Sequence, residues 1–373
     1  PDMASMIHNE MRKHGIKLVL GYTVEGFKEK DNGVEVLLKD NPSLQADMVV
    51  LAIGVTPDTV LAKEAGLELG IKESIVVNDR METSVPDIYA AGDAVQVKHY
   101  VTGNDALISL AGPANKQGRI IADNICGGDS RYLGSQGSSV IKVFDMTAAT
   151  TGINETNAQK SGLEVDTVIL SPMSHAGYYP GGKVMTMKVV FEKETYRLLG
   201  AQIIGYEGVD KRIDVLATAI HAGLNATQLK DLDLAYAPPY SSAKDPVNMA
   251  GFMIDNIAKG TLKQWHLEDM DKISKDKDVV LLDVRTVGEF SRGHIDGFKN
   301  IPVDELRERI SEIEKGKPVY LICQSGLRSY IASRILEGNG YETYNFSGGF
   351  RFYDAVVNDR ALIERAYACG MDY

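Results

Sequence analysis

Four apolar positions near the start of the chain, 3, 6, 7 and 11, recur at the spacing of one face of an α-helix. They predict a helix over Asp2–His14, which Gly15 ends. Strand-like runs follow on either side of Asn32-Gly33, a dipeptide typical of a tight hairpin. A later apolar run is continuous and ends in Gly54, which is typical of a strand buried on both faces. The strands predicted here are Ile16–Leu20, Val24–Lys28, Val34–Lys39 and Met48–Ile53.

The pattern between 56 and 134 is that of short strands and one long helix. The last of these strands runs directly into Gly92-Asp93. Pro113 precedes the helix, where proline is favoured because the first helical N–H needs no intrahelical partner. The predicted elements are the strands Val76–Val77 and Ile88–Ala91 and the helix Ala114–Ile125.

These first two regions together predict part of an α/β nucleotide-binding fold. No G-x-G-x-x-G turn follows a predicted strand and opens a helix. The chain also starts with Pro1 in the middle of this pattern. We therefore expect a processed or truncated chain.

Two further regions differ in pattern from the first two and from each other. Apolar strands and two helices from Ser138 onward predict an α+β domain, with Asp245-Pro246 as the N-cap and first residue of its second helix. After a linker near Gly260–His266, short strands and helices alternate, which predicts a parallel sheet with ligand sites at the carboxyl ends of its strands. The predicted strands are Val140–Phe144, Asp166–Leu170, Val184–Phe191, Leu199–Tyr206, Val279–Asp283, Val319–Cys323 and Thr343–Phe346, and the predicted helices are Asp210–Ala222, Val247–Ile257, Val303–Ile313 and Leu327–Asn339.

Composition narrows the class of protein. The chain has 373 residues, enough for two to four domains at roughly 100–200 residues each. No apolar run approaches the roughly 20 residues that a membrane helix needs, and the first residues lack the features of a signal peptide, so we expect a cytoplasmic protein without a membrane partner. The net charge of −11 argues against a nucleic-acid partner. Three cysteines and seven histidines show no metal-ligand spacing, so no metal site is expected.

The segment from Cys323 to Arg328 carries the strongest chemical signal. An apolar strand ends at Cys323, a short loop follows, and a helix begins. Inward-pointing N–H groups of such a loop and the helix N-terminus behind it favour a thiolate. Cys323 is therefore the predicted nucleophile and Arg328 a fixed charge on the rim. Cys126 is expected to pack in the interior, and Cys369 to be incidental.

The stretch from about Trp265 resembles a single rhodanese domain. In that family the cysteine carries a persulfide. The C-x4-R spacing here is one residue shorter than the C-x5-R of cysteine phosphatases, which disfavours phosphoryl chemistry. Asp283 and Arg285 are interpreted as a salt-bridged pair that supports the loop. The matching residues are Leu282-Asp283-Val284-Arg285, Glu289-Phe290, Gly293-His294-Ile295, Gly297, Asn300-Ile301-Pro302, Cys323 to Arg328 and Gly348-Gly349-Phe350.

A second signal lies at Gly92-Asp93, where a predicted strand ends in a glycine and a carboxylate. Together with the run that ends in Gly54, it resembles the flavoprotein disulfide reductases and NADH oxidases with two dinucleotide domains. The resemblance implies that Asp93 holds the ribityl chain of FAD and that Gly54 lies at the junction with the NAD(P)H domain. It also places Ala111 and Gly112 near the flavin ring, where a helix N-terminus would stabilise a reduced, anionic flavin.

Two aromatic, proline-containing loops resemble the interface domain of coenzyme A disulfide reductases. The loops are residues 175–182 and 235–246. In that family a tyrosine from each loop reaches the active site of the partner subunit and interacts with the substrate sulfur. Tyr240 is the match in the second loop. In the first loop Tyr179 is preferred over Tyr178, and the choice between them stays open.

The resemblance as a whole implies a partial two-dinucleotide-domain flavoprotein fold, an α+β dimerisation domain and a C-terminal rhodanese-like α/β domain. It implies reduction of coenzyme A disulfide, persulfide or polysulfide with FAD and NAD(P)H in a homodimer. One alternative is an NADH oxidase or peroxidase with an accessory rhodanese domain. Another is a non-catalytic dimerisation module that carries sulfur. The expected domains are 1–55 (NAD(P)-binding, second half), 56–134 (FAD-binding), 135–260 (dimerisation) and 266–373 (rhodanese).

Overall fold

The computed structural model describes residues 2–369, with side chains described through 363. The side chain of Cys369, predicted to be incidental, therefore lies outside the described residues. The helices are α1 (Ala4–Lys13), α2 (Val60–Glu64), α3 (Ala111–Ile125), α4 (Glu155–Lys160), α5 (Val209–His221), α6 (Pro246–Ala258), α7 (Met270–Ile273), α8 (Val287–Arg292), α9 (Leu327–Glu337) and α10 (Gly349–Cys369).

The strands fall into four sheets with the orders β1-β2-β3, β4-β5-β6, β7-β8-β11-β10-β9 and β12-β16-β15-β13-β14. Their bounds are β1 (Val24–Lys30), β2 (Gly33–Leu38), β3 (Asn41–Ala46), β4 (Ile75–Val76), β5 (Val95–Lys98), β6 (Asp105–Ala106), β7 (Ser139–Val143), β8 (Met146–Gly152), β9 (Val165–Leu170), β10 (Met185–Glu192), β11 (Leu198–Gly205), β12 (Gln264–Trp265), β13 (Val280–Asp283), β14 (Lys299–Asn300), β15 (Val319–Ile322) and β16 (Thr343–Phe346).

The chain forms two compact units. One contains 140–361 together with the residues up to 16, and the other is built chiefly from 17–139. This mixture of α/β and α+β domains is the predicted fold class.

The unit built from 17–139 contains the predicted hairpin and a small core. Strands β1 and β2 pair antiparallel, with Lys30 opposite Gly33 at the turn. The core is formed by Met81, Val95 and Val97, against which α3 packs Ile120 and Ile121.

Three strand predictions in the first 91 residues are wrong. Segments 16–20 and 48–53 form no strand, and an isolated bridge from Tyr89 to Glu82 replaces the strand predicted at 88–91. Met48 and Ile53, predicted to be buried, are 76% and 89% exposed. A strand buried on both faces needs neighbours on both sides. Among the residues that the structure describes, no strand pairs with 48–53.

The first sheet of the other unit is antiparallel along β8, β11, β10 and β9. Its strand β8 was not predicted, because Met-Thr-Ala-Ala-Thr-Thr-Gly lacks the large β-branched residues of a strand. Strand β10 lies between β11 and β9 and is buried from Met185 to Phe191. Helix α5 packs on β8 and β11, and its buried positions recur at helical spacing.

The second sheet of this unit is parallel throughout, as predicted. Its connections β13-α8-β14 and β15-α9-β16 bring the strand ends to one edge. The helix predicted over Val303–Ile313 is wrong, since turns and a short 3-10 segment, Ile310–Glu312, take its place. The predicted linker near 260–266 is corrected as well, because Gln264–Trp265 is the edge strand β12, paired with β16.

The two sheets of this unit share one hydrophobic core. Met146 and Ile169 of the first sheet pack in the same cluster as Trp265 and Phe346 of the second, and Met3, the N-cap of α1, belongs to it. Across the same junction, Asp166 accepts a hydrogen bond from His266 at 3.0 Å. The Ile169 N–H donates to the Ser347 hydroxyl, also at 3.0 Å. Among the helices described, none is long and apolar enough to cross a membrane.

Candidate functional site

The loop after β15 holds Cys323 with its sulfur facing two hydrogen-bond donors. Cys323 is fully buried. Its Sγ accepts from the Gly326 N–H at 3.1 Å and from the Ser329 hydroxyl at 3.2 Å. Gly326 has a φ of +97°, a conformation that glycine adopts without strain and that turns its N–H toward the sulfur. Helix α9 begins at the next residue, so its N-terminus lies behind the loop.

The glycine pair before α10 closes the other side of this loop. The Phe350 N–H donates to the Cys323 carbonyl at 2.8 Å. Gly349 has a φ of +69°, and a Cβ on it would lie 2.6 Å from the Ser325 nitrogen. The close approach of the two backbones therefore requires glycine at this position.

Asp283 and Arg285 form the predicted salt bridge beneath the loop. Both side chains are buried, and Arg285 Nη2 lies 2.7 Å from an Asp283 oxygen. The guanidinium also stacks on the Phe350 ring at 3.8 Å and donates to the Gly293 carbonyl at 2.8 Å. The pair thus joins β13 to the start of α10, which confirms its structural role.

Arg328, predicted to be a fixed charge on the rim, is paired with a carboxylate. Both of its terminal nitrogens donate to the Glu289 carboxylate at 2.7 Å. The Thr286 N–H and hydroxyl donate to the same carboxylate at 3.0 and 2.9 Å. Because of the Arg328 hydrogen bonds, the pKa of Glu289 lies at about 2, so the carboxylate is ionised. The Thr-x-x-Glu capping box at the start of α8 was a sequence signal for Glu289, although not for its pairing with Arg328.

Around the tyrosine loops, the buried guanidinium of Arg212 is the central contact. It donates to the Ser174 carbonyl at 2.9 Å, to the Ser241 hydroxyl at 3.1 Å and to Asp245 at 3.0 Å. It also reaches the Tyr240 carbonyl at 3.4 Å. One side chain therefore holds the start of the first loop against the second. A pocket of about 480 Å³ lies beside it.

The hydroxyl groups that meet in these loops are those of Tyr178 and Tyr236, 2.7 Å apart. The pKa of Tyr236 is raised chiefly by its hydrogen bond with Tyr178. Tyr179 instead packs its ring edge-on against His175 at 5.7 Å. Tyr240, although it lines the pocket, is bound to Arg212 through its backbone. Tyr236, which sequence reasoning did not single out, therefore joins Tyr178 in this contact, and the roles of Tyr179 and Tyr240 stay predictions.

Gly92 and Asp93 lie in a turn that helix α3 holds in place. The Gly92 N–H donates to the side-chain oxygen of Gln117 at 2.7 Å. Gln117 is buried, so it holds this turn from the interior. Asp93 is exposed, so its carboxylate is accessible beside the start of α3.

The start of α3 is also accessible. The helix begins at Ala111, earlier than predicted, and its N-cap Leu110 offers no side-chain cap. Ala111 and Gly112 are exposed. The Asp93 carboxylate in the turn Gly92–Ala94 and the uncapped N–H groups of α3, to which Gln117 ties that turn, fit a polyol and an anionic ring edge, as in a flavin nucleotide. Gly54 is exposed with a φ of +91°, and its role stays a prediction.

Cys126 is exposed, which corrects its predicted interior position. It caps the end of α3, where the chain turns at Gly127 with a φ of +89°. The helix therefore ends before this side chain can reach the core.

Two profiles of one protein family match neighbouring stretches of the chain. The profile of pyridine nucleotide-disulphide oxidoreductases matches residues 1–118, and that of their dimerisation domain matches residues 138–246. The chain belongs to the pyridine nucleotide-disulphide oxidoreductase family. A rhodanese-like domain matches residues 266–355, which include Cys323. Membership of this family implies the use of a flavin and a pyridine nucleotide.

Among curated relatives, the NAD(P)H sulfur oxidoreductase (CoA-dependent) of Pyrococcus abyssi is 36% identical over 66% of this chain and 54% of that protein. An NADH oxidase of Methanocaldococcus jannaschii is 35% identical over 67% of this chain and 55% of that protein. The chain thus spans about half the length of these relatives.

Solved structures cover more of the chain. The structure of reduced CoADR-RHD from Bacillus anthracis has a TM-score of 0.92 and 46% identity, over 96% of this chain and 64% of that one. A NAD-dependent persulfide reductase from A. fulgidus has a TM-score of 0.86 and 39% identity, over 94% of this chain and 64% of that one.

Proposed function

We propose that the protein takes part in the FAD- and NAD(P)H-dependent reduction of coenzyme A disulfide, persulfide or polysulfide, and that Cys323 handles the sulfane sulfur. The observation that carries the sulfur role is the convergence of the Gly326 N–H and the Ser329 hydroxyl on the Cys323 sulfur. Two neutral donors and a helix N-terminus stabilise a thiolate or a terminal persulfide anion without a metal ion. The names of the relatives and of the matching structures support the reductase role.

In the sulfur step, the Cys323 thiolate forms a bond to the outer sulfur of a persulfide. The sulfur–sulfur bond of the carrier breaks, and the carrier leaves as a thiol, because its sulfur takes the proton that the outer sulfur held. Cys323 is left as a persulfide anion, whose charge the two donors stabilise. Arg328 holds α8 against this loop through Glu289.

Tyr178 and Tyr236 are proposed to stabilise the thiolate that leaves when a disulfide is reduced. Their hydroxyls are 2.7 Å apart, so when one donates to the other, the accepting hydroxyl keeps its own proton to donate to a sulfur. Tyr179 and Tyr240 then orient the loops by packing and through the backbone. In a homodimer, which the match to the dimerisation domain supports, these loops would serve the partner subunit's site.

FAD, when bound, would carry electrons between NAD(P)H and a disulfide. Asp93 would bind its polyol chain, and the start of α3 at Ala111 and Gly112 would face the ring. Gln117 would keep Asp93 aligned by holding Gly92. A chain that works with NAD(P)H and with a free thiol at Cys323 suits the cytoplasm, which is the proposed compartment.

The test uses the protein from its full reading frame. Its absorption spectrum is recorded first, and NADH oxidation is then assayed with coenzyme A persulfide for wild type and Cys323→Ser. We expect a flavin spectrum, turnover that depends on the sulfur substrate, and loss of sulfur transfer in the variant. Cys126→Ser, at an exposed cysteine, is the control. A colourless protein, or NADH oxidation indifferent to sulfur substrates, contradicts the proposal.

A second candidate is an NADH oxidase with an accessory rhodanese domain, which the likeness to the Methanocaldococcus jannaschii protein favours. This candidate predicts that the protein oxidises NADH with oxygen, and that adding a sulfur compound does not increase the rate. The same assay under anaerobic conditions separates the two, because only the reductase turns over there with persulfide.

A further inference from the structure

Arg285 and Arg328, two arginines close to the Cys323 loop, are both neutralised by carboxylates. Arg285 is buried with Asp283, their charged atoms 2.7 Å apart. Arg328 is bound by Glu289 through two hydrogen bonds of 2.7 Å. A bidentate pair of this kind directs the guanidinium at its partner and leaves little charge for a third group. The sulfur of Cys323 therefore faces neutral donors rather than free cations.

The Glu289 carboxylate is itself held in place. It accepts from the Thr286 N–H and hydroxyl, and its side chain is 21% exposed. Its pKa of about 2, due first to the Arg328 hydrogen bond, means that it keeps its charge at any physiological pH. The neutralisation of Arg328 is thus a constant property of the site.

The rim of the site is apolar. Leu327 and Ile331, one turn apart on α9, are 66% and 43% exposed. Arg351, whose N–H donates to the Gln324 carbonyl, has its side chain in solvent, where its charge is screened. Apolar side chains around a buried nucleophile favour a donor with an apolar arm over a strongly hydrated ion.

We propose that Glu289 is a specificity determinant of the Cys323 site. By neutralising Arg328, it disfavours small polyanionic sulfur donors such as thiosulfate and reserves the site for sulfane sulfur on a weakly charged thiol arm. This inference rests on the proposed role of Cys323 as a sulfur acceptor.

The total charge of the reacting groups explains why the Glu289–Arg328 ion pair discriminates between sulfur donors. When the Cys323 thiolate takes sulfur from a protonated persulfide, the products are the Cys323 persulfide anion and a neutral thiol, so the reacting groups carry one negative charge throughout. When it takes sulfur from thiosulfate, sulfite leaves, and the reacting groups carry three negative charges throughout. Three charges in a buried site require unpaired cations, which Asp283 and Glu289 remove.

The test compares two donors in the full-length protein, with cyanide as acceptor and thiocyanate as the measured product. The donors are thiosulfate and the persulfide of N-acetylcysteamine, an uncharged thiol arm. For Glu289→Gln we expect the ratio of kcat/KM for thiosulfate to kcat/KM for the persulfide to rise at least tenfold. The glutamine oxygen can keep the hydrogen bonds from Thr286, so the start of α8 is retained.

Glu312→Gln is the matched control, because Glu312 also binds an arginine with both oxygens, Arg309 at 2.6 and 3.0 Å. Its ratio should stay within twofold of wild type. The double variant Glu289→Gln, Arg328→Leu should return toward the wild-type ratio. An unchanged ratio in Glu289→Gln overturns the inference, while a wild type that transfers sulfur from neither donor overturns the proposed function as well.

A second measurement uses the wild type alone, so it tests the inference even if the Glu289 variant does not fold. The alkylation rates of Cys323 by iodoacetate and by iodoacetamide are measured by peptide mass spectrometry, in the folded protein and in urea. If the arginines are neutralised, the rate of alkylation by iodoacetate divided by the rate by iodoacetamide is no higher in the folded protein than in urea. A ratio fivefold higher when folded reveals a cationic site and contradicts the inference.

Discussion

The Arg212 guanidinium lies 3.0 Å from the Asp245 carboxylate, and the two side chains are only 1% and 3% exposed. Asp245 is also the N-cap of α6 and accepts from the Val247 N–H. Through Arg212, the cap of one helix is connected to the Ser174 carbonyl at the start of a tyrosine loop. The pair is therefore a structural centre for the pocket rather than a surface ion pair.

Asp245→Asn should lower the free energy of unfolding by about 3–5 kcal/mol, because it leaves a buried guanidinium without its counter-charge. Urea denaturation of the purified protein measures the change. Glu305→Gln, which removes an exposed partner of Arg309, is the control and should cost less than about 1 kcal/mol. Equal decreases in the free energy of unfolding would show that the buried pair stabilises the protein no more than an exposed pair does.

Tyr178→Phe and Tyr236→Phe should each lower kcat for coenzyme A disulfide at least tenfold, since removal of one donor to a developing anion costs about 10²-fold or more in well-formed sites. Tyr179→Phe and Tyr240→Phe should change kcat less than threefold. Steady-state NADH oxidation by the flavin-loaded, full-length protein gives all four values. The opposite order would return the role to Tyr179 and Tyr240.

Gly349→Ala should reduce sulfur transfer by Cys323 at least tenfold. The added Cβ would lie 2.6 Å from the Ser325 nitrogen and 2.7 Å from the Gln324 carbonyl oxygen, so the loop must move. Gly316→Ala is the control, because Gly316 also has a positive φ, +84°, but open space around it. That variant should lose only about 1–2 kcal/mol of stability and keep its sulfur transfer. Comparable activity in the two variants would refute the close-approach argument.

His266 should make the stability of the protein depend on pH near neutrality. Burial lowers the pKa of His266, but its hydrogen bond and attraction to Asp166 raise it more. The pKa of His266 in the folded protein is therefore above 6.5. A raised pKa means that the stabilisation is fully present below pH 6.5 and is lost as the pH rises through the folded-state value. Burial raises the pKa of Asp166, and His266 lowers it more, to below 3.8, so the carboxylate is ionised in this window.

The measurement is the thermal melting temperature of wild type and His266→Gln at pH 6 and at pH 9. The difference between the two proteins should be larger at pH 6. His294→Gln, at an exposed histidine stacked on Phe290, shows what removal of a histidine does away from the junction. A difference that is the same at both pH values would mean that the Asp166–His266 pair does not couple the two sheets through charge.

Local sequence patterns predicted the structure correctly where the interacting residues lie within one short segment. The hairpin at Asn32-Gly33, the N-cap at Asp245 and the strand Thr343–Phe346 formed as predicted. The turn from strand to helix at Cys323 also followed from its own residues, since the strand end, the positive-φ glycine and the helix start are consecutive. The run 48–53 failed because burial of a central strand depends on neighbours that a local pattern does not contain.

The sequence by itself thus determined the family resemblance, the parallel sheet around Cys323 and the position of Cys323 between a strand end and a helix start. Only the tertiary structure decided which hydroxyls meet and which charges cancel. Tyr178 and Tyr236 are 58 residues apart, and Glu289 and Arg328 are 39 apart. Such contacts arise from the packing of whole elements, α8 against α9 and one loop against another. Hydrogen-bond geometry changes over a few tenths of an ångström, a precision that no spacing rule along the chain can supply.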